Sequence, residues 1–274
     1  MFEIDRLIIL AIDEDIGDGD ITTSSIIAPG KLGKAHVIAK EDLVLAGIEI
    51  FGRVFRFLTP EVNFKTFFKD GDQIKSNSII AEVSCDVVNL LQGERVALNF
   101  LQRLSGIASL THKYVRRVKP YGAKIADTRK TTPGWRALEK YAVKMGGGTN
   151  HRSGLYDAVL IKDNHISVCG GVSQAVERAM ANIPHTLKIE VEVRNLDELR
   201  EALESGVDII MLDNMDTKEM EKAVQLIDKK ALVEASGGIN LNTVTDVART
   251  GVDIISVGAI THSATACDIS MNIV

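Results

Sequence analysis

Gly206-Val-Asp-Ile-Ile-Met-Leu-Asp213 and Gly251-Val-Asp-Ile-Ile-Ser-Val-Gly258 are two copies of one pattern. Each is a glycine turn followed by an apolar run of strand length. Two copies do not make a solenoid; they mark equivalent strands of one barrel-like sheet. The pattern continues outward from them. After Gly122, apolar runs stand at Ala123–Ala126, Ala158–Ile161, Leu187–Val193, Asp208–Leu212, Leu232–Ala235 and Asp253–Val257. Helical segments such as Leu196–Glu204 and Thr217–Asp228 separate them. Strands alternating with helices predict repeated β-α units with parallel strands.

In β/α barrels the carboxyl ends of the strands carry the site, because their loops converge on one mouth. Here those ends are polar: Asp127-Thr-Arg129-Lys130, Lys162-Asp-Asn, Glu190 and Glu192, Asp213-Asn214, Glu234-Ala-Ser236-Gly-Gly, and Gly258. On the third run, Lys188, Glu190, Glu192 and Arg194 alternate with Ile189, Val191 and Val193, so all four charges share one face. A charged face turned into a barrel needs bound cations or a ligand, since unpaired buried charge is costly. A solvated edge strand is the alternative.

The block Asp127–His165 gathers Arg129, Lys130, Arg152 and Lys162 with His151 and His165, most of them at the ends of apolar runs next to turn formers. Such positions aim several donors at one place, as a multiply charged anion requires. Gly146-Gly-Gly148 precedes the His151-Arg152 pair and predicts a lining that allows close approach. Lys130 and Lys162 could form Schiff bases, but the neighbouring arginines favour anion binding. Ser236-Gly237-Gly238 and Val257-Gly258-Ala259 follow the last two runs. Glycine turns let backbone N–H groups approach a phosphate, and a following helix N-terminus adds a favourable dipole. His262 lies just beyond. The implied ligand carries a phosphate at one end and another anionic group at the other. The carboxylates between them can hold Mg²⁺ or stabilise a positive centre.

The first part of the chain reads differently. Ile4, Leu7, Ile8 and Ala11 share a face of a helix over Met1–Ile16. Asp15-Ile-Gly-Asp-Gly-Asp lacks the bidentate Glu of a calcium loop and reads as a surface loop with Asp20 as a cap. Strands are expected at Leu32–Ile38, Val62–Phe68 and Ile79–Val83, a helix at Ile48–Leu58, and a tight turn at Asp70-Gly71 between the last two strands. Phe68-Lys-Asp-Gly-Asp-Gln-Ile resembles the hammerhead of biotinyl or lipoyl carrier modules, without a lysine at a hairpin tip. Val87–Val118 reads as two helices broken near Ser105-Gly106. Arg95 within it looks idle from spacing alone.

The 274 residues, 45% hydrophobic, suffice for one large domain or two modest ones. A net charge of −5 does not favour nucleic acid as a partner. No apolar run approaches membrane-spanning length and no signal-peptide pattern is present. Cys85, Cys169 and Cys267 are odd in number and without metal-ligand spacing, so reduced thiols in the cytoplasm are expected.

Read as one ordered set, Asp-Thr-Arg-Lys-Thr-Thr-Pro-Gly, Glu139-Lys-Tyr-Ala-Val143, Gly-Gly-Gly-Thr-Asn-His-Arg152, Leu-Ile-Lys162-Asp-Asn-His, Glu-Val-Glu192-Val, Met-Leu-Asp213-Asn-Met, Glu-Ala-Ser236-Gly-Gly-Ile and Ser-Val-Gly258-Ala-Ile-Thr-His262-Ser resemble the quinolinate phosphoribosyltransferase family. Glu94-Arg95 and Leu104-Ser-Gly-Ile-Ala108 extend the resemblance nearly end to end. It implies an α/β protein with an N-terminal α/β sandwich over residues 1–111, on which the C-terminal tail packs, and an open TIM-like α/β barrel over residues 112–274. It further implies a homodimer in which Arg95 reaches the partner's site. The implied reaction joins quinolinate to phosphoribosyl pyrophosphate in the de novo synthesis of NAD, giving nicotinate mononucleotide, pyrophosphate and CO₂ with Mg²⁺. Carried over residue by residue, Arg129, Lys130, His151, Arg152, Lys162 and Arg95 bind the two carboxylates. Glu192 and Asp213 face the ribose and its metal, through substrate or water. Ser236, Gly237, Gly238, Val257, Gly258, Ala259 and His262 surround the 5′-phosphate. Glu192, Asp213, Lys130 and Lys162 are the residues expected to carry the chemistry.

Overall fold

The computed structural model describes residues 2–28 and 30–274; Met1 of the expected first helix lies outside the described residues. In chain order the elements begin with α1 (Phe2–Ile16) and α2 (Ile21–Ile26), followed by β1 (Leu32–Ala39), β2 (Leu43–Val44), α3 (Ile48–Leu58), β3 (Asn63–Thr66), β4 (Gln73–Ile74), β5 (Ile79–Asp86) and α4 (Val87–Val118). Next come β6 (Lys124–Ala126), α5 (Arg136–Met145), β7 (Val159–Ile161), α6 (Asp163–Cys169), α7 (Val172–Asn182), β8 (Ile189–Val193), α8 (Leu196–Glu204), β9 (Ile209–Asp213) and α9 (Thr217–Ile227). The chain closes with β10 (Leu232–Ser236), α10 (Val244–Arg249), β11 (Ile254–Ser256), α11 (Ala259–His262) and β12 (Ile269–Ile273).

Two compact units result. The first holds Met1–His112 together with two later stretches, Thr132–Gly147 and Ala264–Val274; the second holds Lys113–Thr131 and Gly148–Ser263. In the first unit β12, β1, β5 and β3 lie side by side in that order, all antiparallel. The final strand β12 therefore pairs with β1, Ala35 opposite Ile273. Helix α3 buries Ile48, Ile50, Phe51, Val54 and Phe55. The Phe51 ring lies 5.3 Å from Phe55 and 5.9 Å from Phe64 on β3. Asp20 caps α2 as expected, accepting from the Thr23 amide at 2.9 Å.

Two expectations for this unit need correction. The Asp70-Gly71 turn forms and β3 pairs antiparallel with β5, as expected, but that turn alone does not join the two strands. After the turn the chain runs through β4, which pairs antiparallel with β2, Leu43 opposite Ile74. Asp70 instead accepts from the Gly47 and Ile48 amides at 2.9 and 3.1 Å, satisfying orphan donors at the start of α3. The second correction concerns α4, which is one continuous helix of 32 residues. Ser105 is fully buried, and its hydroxyl accepts from the Ala46 amide at 3.1 Å. Gly106 lies against the backbone of the tail, where a methyl group would overlap the Thr265 carbonyl oxygen. The glycine permits a close approach; it does not end the helix.

The second unit contains all six predicted strands in one parallel sheet, ordered β6-β11-β10-β9-β8-β7. Among the described residues no pairing joins β6 to β7, so the sheet stays open. Helix starts follow their capping signals: the Asn195 side chain accepts from the Asp197 and Glu198 amides at α8, and Asp216 forms a capping box with Glu219 at α9. Strand β8 is interior, which removes the edge-strand alternative for its charged face. Of its four charges only two turn inward: Glu190 is buried and Glu192 half-buried. Lys188 and Arg194 flank the strand and are exposed, with Arg194 3.8 Å from Glu198. No helix among the described residues is long and apolar enough to cross a membrane.

Replacing Gly106 by Ala is expected to destabilise the protein by about 2 kcal/mol in thermal or urea unfolding, the usual size of an overpacking penalty. Helix propensity alone predicts a gain of about 1 kcal/mol. A stabilised G106A protein would remove the close-approach account.

Candidate active site

The carboxyl ends of the parallel strands surround a pocket of about 530 Å³ in the second unit. Each side is set by a strand end or the loop after it. Beyond β6, Thr128, Arg129 and Lys130 line the pocket. Asp127, fully buried, accepts from the His151 amide at 2.9 Å. Thr149 bridges to Ala126 in parallel fashion. Together these bonds fold the following loop back along β6 and bring His151 and Arg152 to the pocket wall. Lys162, at the end of β7, forms an ion pair with Glu192 of β8. Its amide donates to His165 Nδ1 at 2.9 Å, so His165 caps α6; it is exposed and outside the lining. Asp213 and Asn214 come from β9, and Ser236, Gly237 and Gly238 from β10.

The glycine turn after β10 has a packing cause. Gly237 (φ 99°) and Gly238 (φ 61°) are left-handed, and a side chain at Gly237 would run into Asn214. Gly258 lies beside Lys130 and His262: an added methyl would come 3.1 Å from Lys130 Cδ and 3.2 Å from the His262 ring. Thr261 of α11 donates to the Lys130 carbonyl at 2.7 Å. The helix-dipole part of the phosphate expectation is weak, because α11 spans only Ala259–His262 and α10 starts only at Val244. The phosphate reading rests on the glycine backbone.

Of the predicted site residues, Arg129, Lys130, His151, Arg152, Lys162, Glu192, Asp213, Ser236, Gly237 and Gly238 line this one pocket. Val257, Gly258, Ala259 and His262 stand outside the lining. Val257 is buried, Gly258 and Ala259 are half-buried, and exposed His262 has its Nδ1 2.7 Å from the Ser263 hydroxyl. Arg95 belongs to the first unit, exposed on α4, and has no ion-pair partner among the described residues.

The pocket floor holds a group that sequence reasoning did not assemble. Glu234 (2% exposed) and Glu190 (4%) are buried, and both approach His151. His151 Nε2 is 3.0 Å from Glu190 Oε2 and 3.7 Å from Glu234 Oε1. His151 Nδ1 accepts from the Arg152 amide at 2.8 Å. Burial disfavours a charged imidazole, but the Glu190 hydrogen bond and the Glu190 and Glu234 charges outweigh it and raise the His151 pKa overall. A second ring proton would sit on Nδ1 and break the bond from Arg152, so the neutral Nε2–H form fits the geometry best. Burial first, then the Glu190 charge, push the Glu234 carboxyl up to about 7. Burial and then the neighbouring Arg129 depress Arg152 below the usual guanidinium value. The ligand atoms of His151, Glu190 and Glu234 lie within 4.8 Å of one another, a donor set that could also hold a cation. Both glutamates were visible as strand-end or alternating charges; their convergence on His151 depends on strand order, which no spacing reports.

Cations gathered over carboxylates, beside a glycine turn at the carboxyl ends of a parallel β/α sheet, define a protein that handles a phosphate-bearing, multiply anionic small molecule. The chain belongs to the quinolinate phosphoribosyltransferase family. Residues 107–272 match the family's C-terminal domain and residues 20–105 its N-terminal domain. The chain is 45% identical to a probable nicotinate-nucleotide pyrophosphorylase (carboxylating) of Bacillus subtilis, covering 95% of this chain and 90% of that one. It is 40% identical to a mitochondrial quinolinate phosphoribosyltransferase (decarboxylating) of Nicotiana glauca, over 99% and 82% of the two chains. The crystal structure of NadC from Streptococcus pyogenes superposes with a TM-score of 0.96 at 45% identity, covering 99% of this chain and 96% of that one.

The raised Glu234 pKa has a consequence for stability. Between the ordinary carboxyl value near 4.5 and about 7, the folded protein keeps a proton that the unfolded chain has lost. Stability therefore falls as pH rises through that window and levels off above it. Replacing Glu234 by Gln removes the titration. Relative to the native protein, E234Q should gain on the order of 2 kcal/mol between pH 4.5 and pH 8. Urea unfolding of both proteins at the two pH values reads this, and a constant difference would show that Glu234 is an ordinary carboxylate.

Proposed function

We propose that the protein transfers the phosphoribosyl group of phosphoribosyl pyrophosphate to the ring nitrogen of quinolinate and releases CO₂. Nicotinate mononucleotide and pyrophosphate are the other products, and the step belongs to de novo NAD synthesis. The observation that carries this reading is the pairing of Arg129 with Arg152 in a pocket that also holds Lys130 and Lys162. Arg152 is depressed by burial and by Arg129. Like charges held together in this way suit a ligand with two carboxylates, which offsets the repulsion on binding. A single carboxylate, as in nicotinate, leaves part of that cluster unpaired. Family membership supports the same reading.

The residue roles follow from chemistry and position. Arg129, Arg152 and Lys130 hold the pyridine dicarboxylate, with His151, whose ring nitrogens are taken by Glu190 and the Arg152 amide, in the wall beside them. Lys162 exchanges its present partner Glu192 for a substrate carboxylate, which frees Glu192 to face the ribose. As pyrophosphate leaves, positive charge builds on the ribosyl carbon, and Glu192 and Asp213 stabilise it. The clamp keeps the ring nitrogen in line for attack. Ser236, Gly237 and Gly238 take the 5′-phosphate, with Gly258, Val257, Ala259 and His262 behind Lys130. The glycosylated nitrogen then draws electrons from the ring and loosens the adjacent carboxylate.

Mg²⁺ is the expected cofactor. Asp213 lines the pocket half-buried, with no side-chain partner among the described residues. With Glu192 it would hold the ion through substrate oxygens or water, as suits a cation that keeps much of its hydration. Bound there, the ion would neutralise the departing pyrophosphate. We read the unit as half of a homodimer in which exposed Arg95 completes the partner's site. The three free cysteines favour a cytoplasmic setting.

Purified protein given quinolinate, phosphoribosyl pyrophosphate and Mg²⁺ should yield nicotinate mononucleotide and CO₂ in equal amounts, with no product from nicotinate in a parallel tube. Turnover only with nicotinate would sink the dicarboxylate reading. In R152A the quinolinate KM should rise at least tenfold while phosphoribosyl pyrophosphate binding stays within about threefold. An equal loss for both ligands would contradict the division of the pocket.

A further inference from the structure

Loss of CO₂ leaves an electron pair on a ring carbon, and that carbon needs a proton. None of the roles above supplies one. We propose that Glu234 is the acid that puts a proton in place of the departing carboxylate. The inference rests on the phosphoribosyl-transfer reading and adds a catalytic residue to it.

Four observations place the proton on Glu234. It lines the pocket, so its carboxyl can reach a bound ring. It is 2% exposed, and its Oε1 has no hydrogen-bond partner, so burial and the Glu190 charge outweigh what His151, Ser256 and Lys162 offer an ionised form. The charged groups around it are already engaged. On β8, Glu190 Oε2 takes the Nε2–H of His151 at 3.0 Å, while Glu234 stays 3.7 Å from that nitrogen. At the end of β7, the Lys162 ammonium is paired with Glu192. On β11, the Ser256 hydroxyl reaches the Glu234 carboxyl, but this one hydrogen bond is outweighed by burial and the Glu190 charge. Finally, two buried carboxylates around one imidazole cannot both ionise at low cost. Glu190 has the hydrogen bond to His151; Glu234 keeps the proton. Its carboxyl titrates near neutrality because of burial and Glu190, where a general acid works best.

The step balances. Once the ring nitrogen carries the ribosyl group, the bond from the adjacent ring carbon to its carboxylate breaks. The electron pair stays on that carbon and CO₂ departs. The carbon takes the proton of Glu234, and the Glu234 carboxylate regains one from water before the next turnover. His151 orients Glu190 beside Glu234 and exchanges no proton.

A single-turnover quench that follows pyrophosphate and CO₂ separately tests the assignment. In the native enzyme the two should appear together. In E234Q pyrophosphate should appear at nearly the native rate and CO₂ at least tenfold more slowly, with a nucleotide that still bears both carboxylates accumulating between them. The native CO₂ step should slow as pH rises through the titration of the acid, and E234Q should lack that limb. E234D, which restores an acid on a shorter stem, should recover much of the CO₂ rate. CO₂ released in step with pyrophosphate in E234Q would overturn the proposal, as would loss of both steps in E234Q and E234D alike. No pyrophosphate from the native enzyme and quinolinate would instead overturn the phosphoribosyl-transfer reading itself.

Discussion

Charge placed on the inner face of a parallel sheet has to be answered by other charge, and in this protein that requirement organises the second unit. Strands buried on both faces are normally continuous apolar runs. Here β8 and β10 each carry a glutamate into the interior, Glu190 and Glu234. Neither can face water, so partners are brought to them. His151 is held by its side chain on Glu190 and by its amide on buried Asp127. The loop from β6 to β7 is thus tied at two points, and Arg152 is carried to the pocket wall. At the rim, Lys162 and Glu192 answer one another across neighbouring strands.

The first unit is governed by close approach. Glycines sit where two pieces of backbone or a ring must touch: Gly52 against Phe64, Gly106 against Thr265. One buried carboxylate is again central. Glu139, fully buried, accepts from Arg103 at 2.8 Å and from the Thr132 hydroxyl and amide at 2.9 and 3.2 Å. Arg103 also reaches the Ala264 carbonyl at 2.7 Å, and Tyr141 donates to Asp70 at 2.6 Å. The Glu139-Lys-Tyr-Ala-Val143 motif is therefore structural. It ties α5 to α4, to the start of the C-terminal stretch and to the turn that caps α3.

These carboxylates differ in how firmly they are held. Glu192, paired with Lys162, and Asp213, with no side-chain partner among the described residues, are half-buried at strand ends and line the pocket. Glu190 and Glu139 are buried and held by hydrogen bonds, from His151 and from Arg103 and Thr132, and set geometry. Glu234 falls between the two groups, buried like the scaffold residues yet lining the pocket and without a hydrogen bond at Oε1. An under-satisfied buried group that lines a pocket is where function is expected to show.

The sequence by itself determined the six parallel strands, their polar ends and most of the pocket lining, because period-two alternation and glycine turns are local signals. It also carried the long ordered motifs of the family. Local reading failed where a residue answers to something distant in the chain. Ser105-Gly106 looked like a helix break because the tail that packs there lies far along the sequence. Lys188 and Arg194 looked like inner-face charges because alternation does not say where a strand stops being covered. Tertiary structure alone decided that Glu190 and Glu234 meet at one histidine. Strand order puts β8 and β10 on either side of β9, and burial then forces two carboxylates and an imidazole to share too few charges.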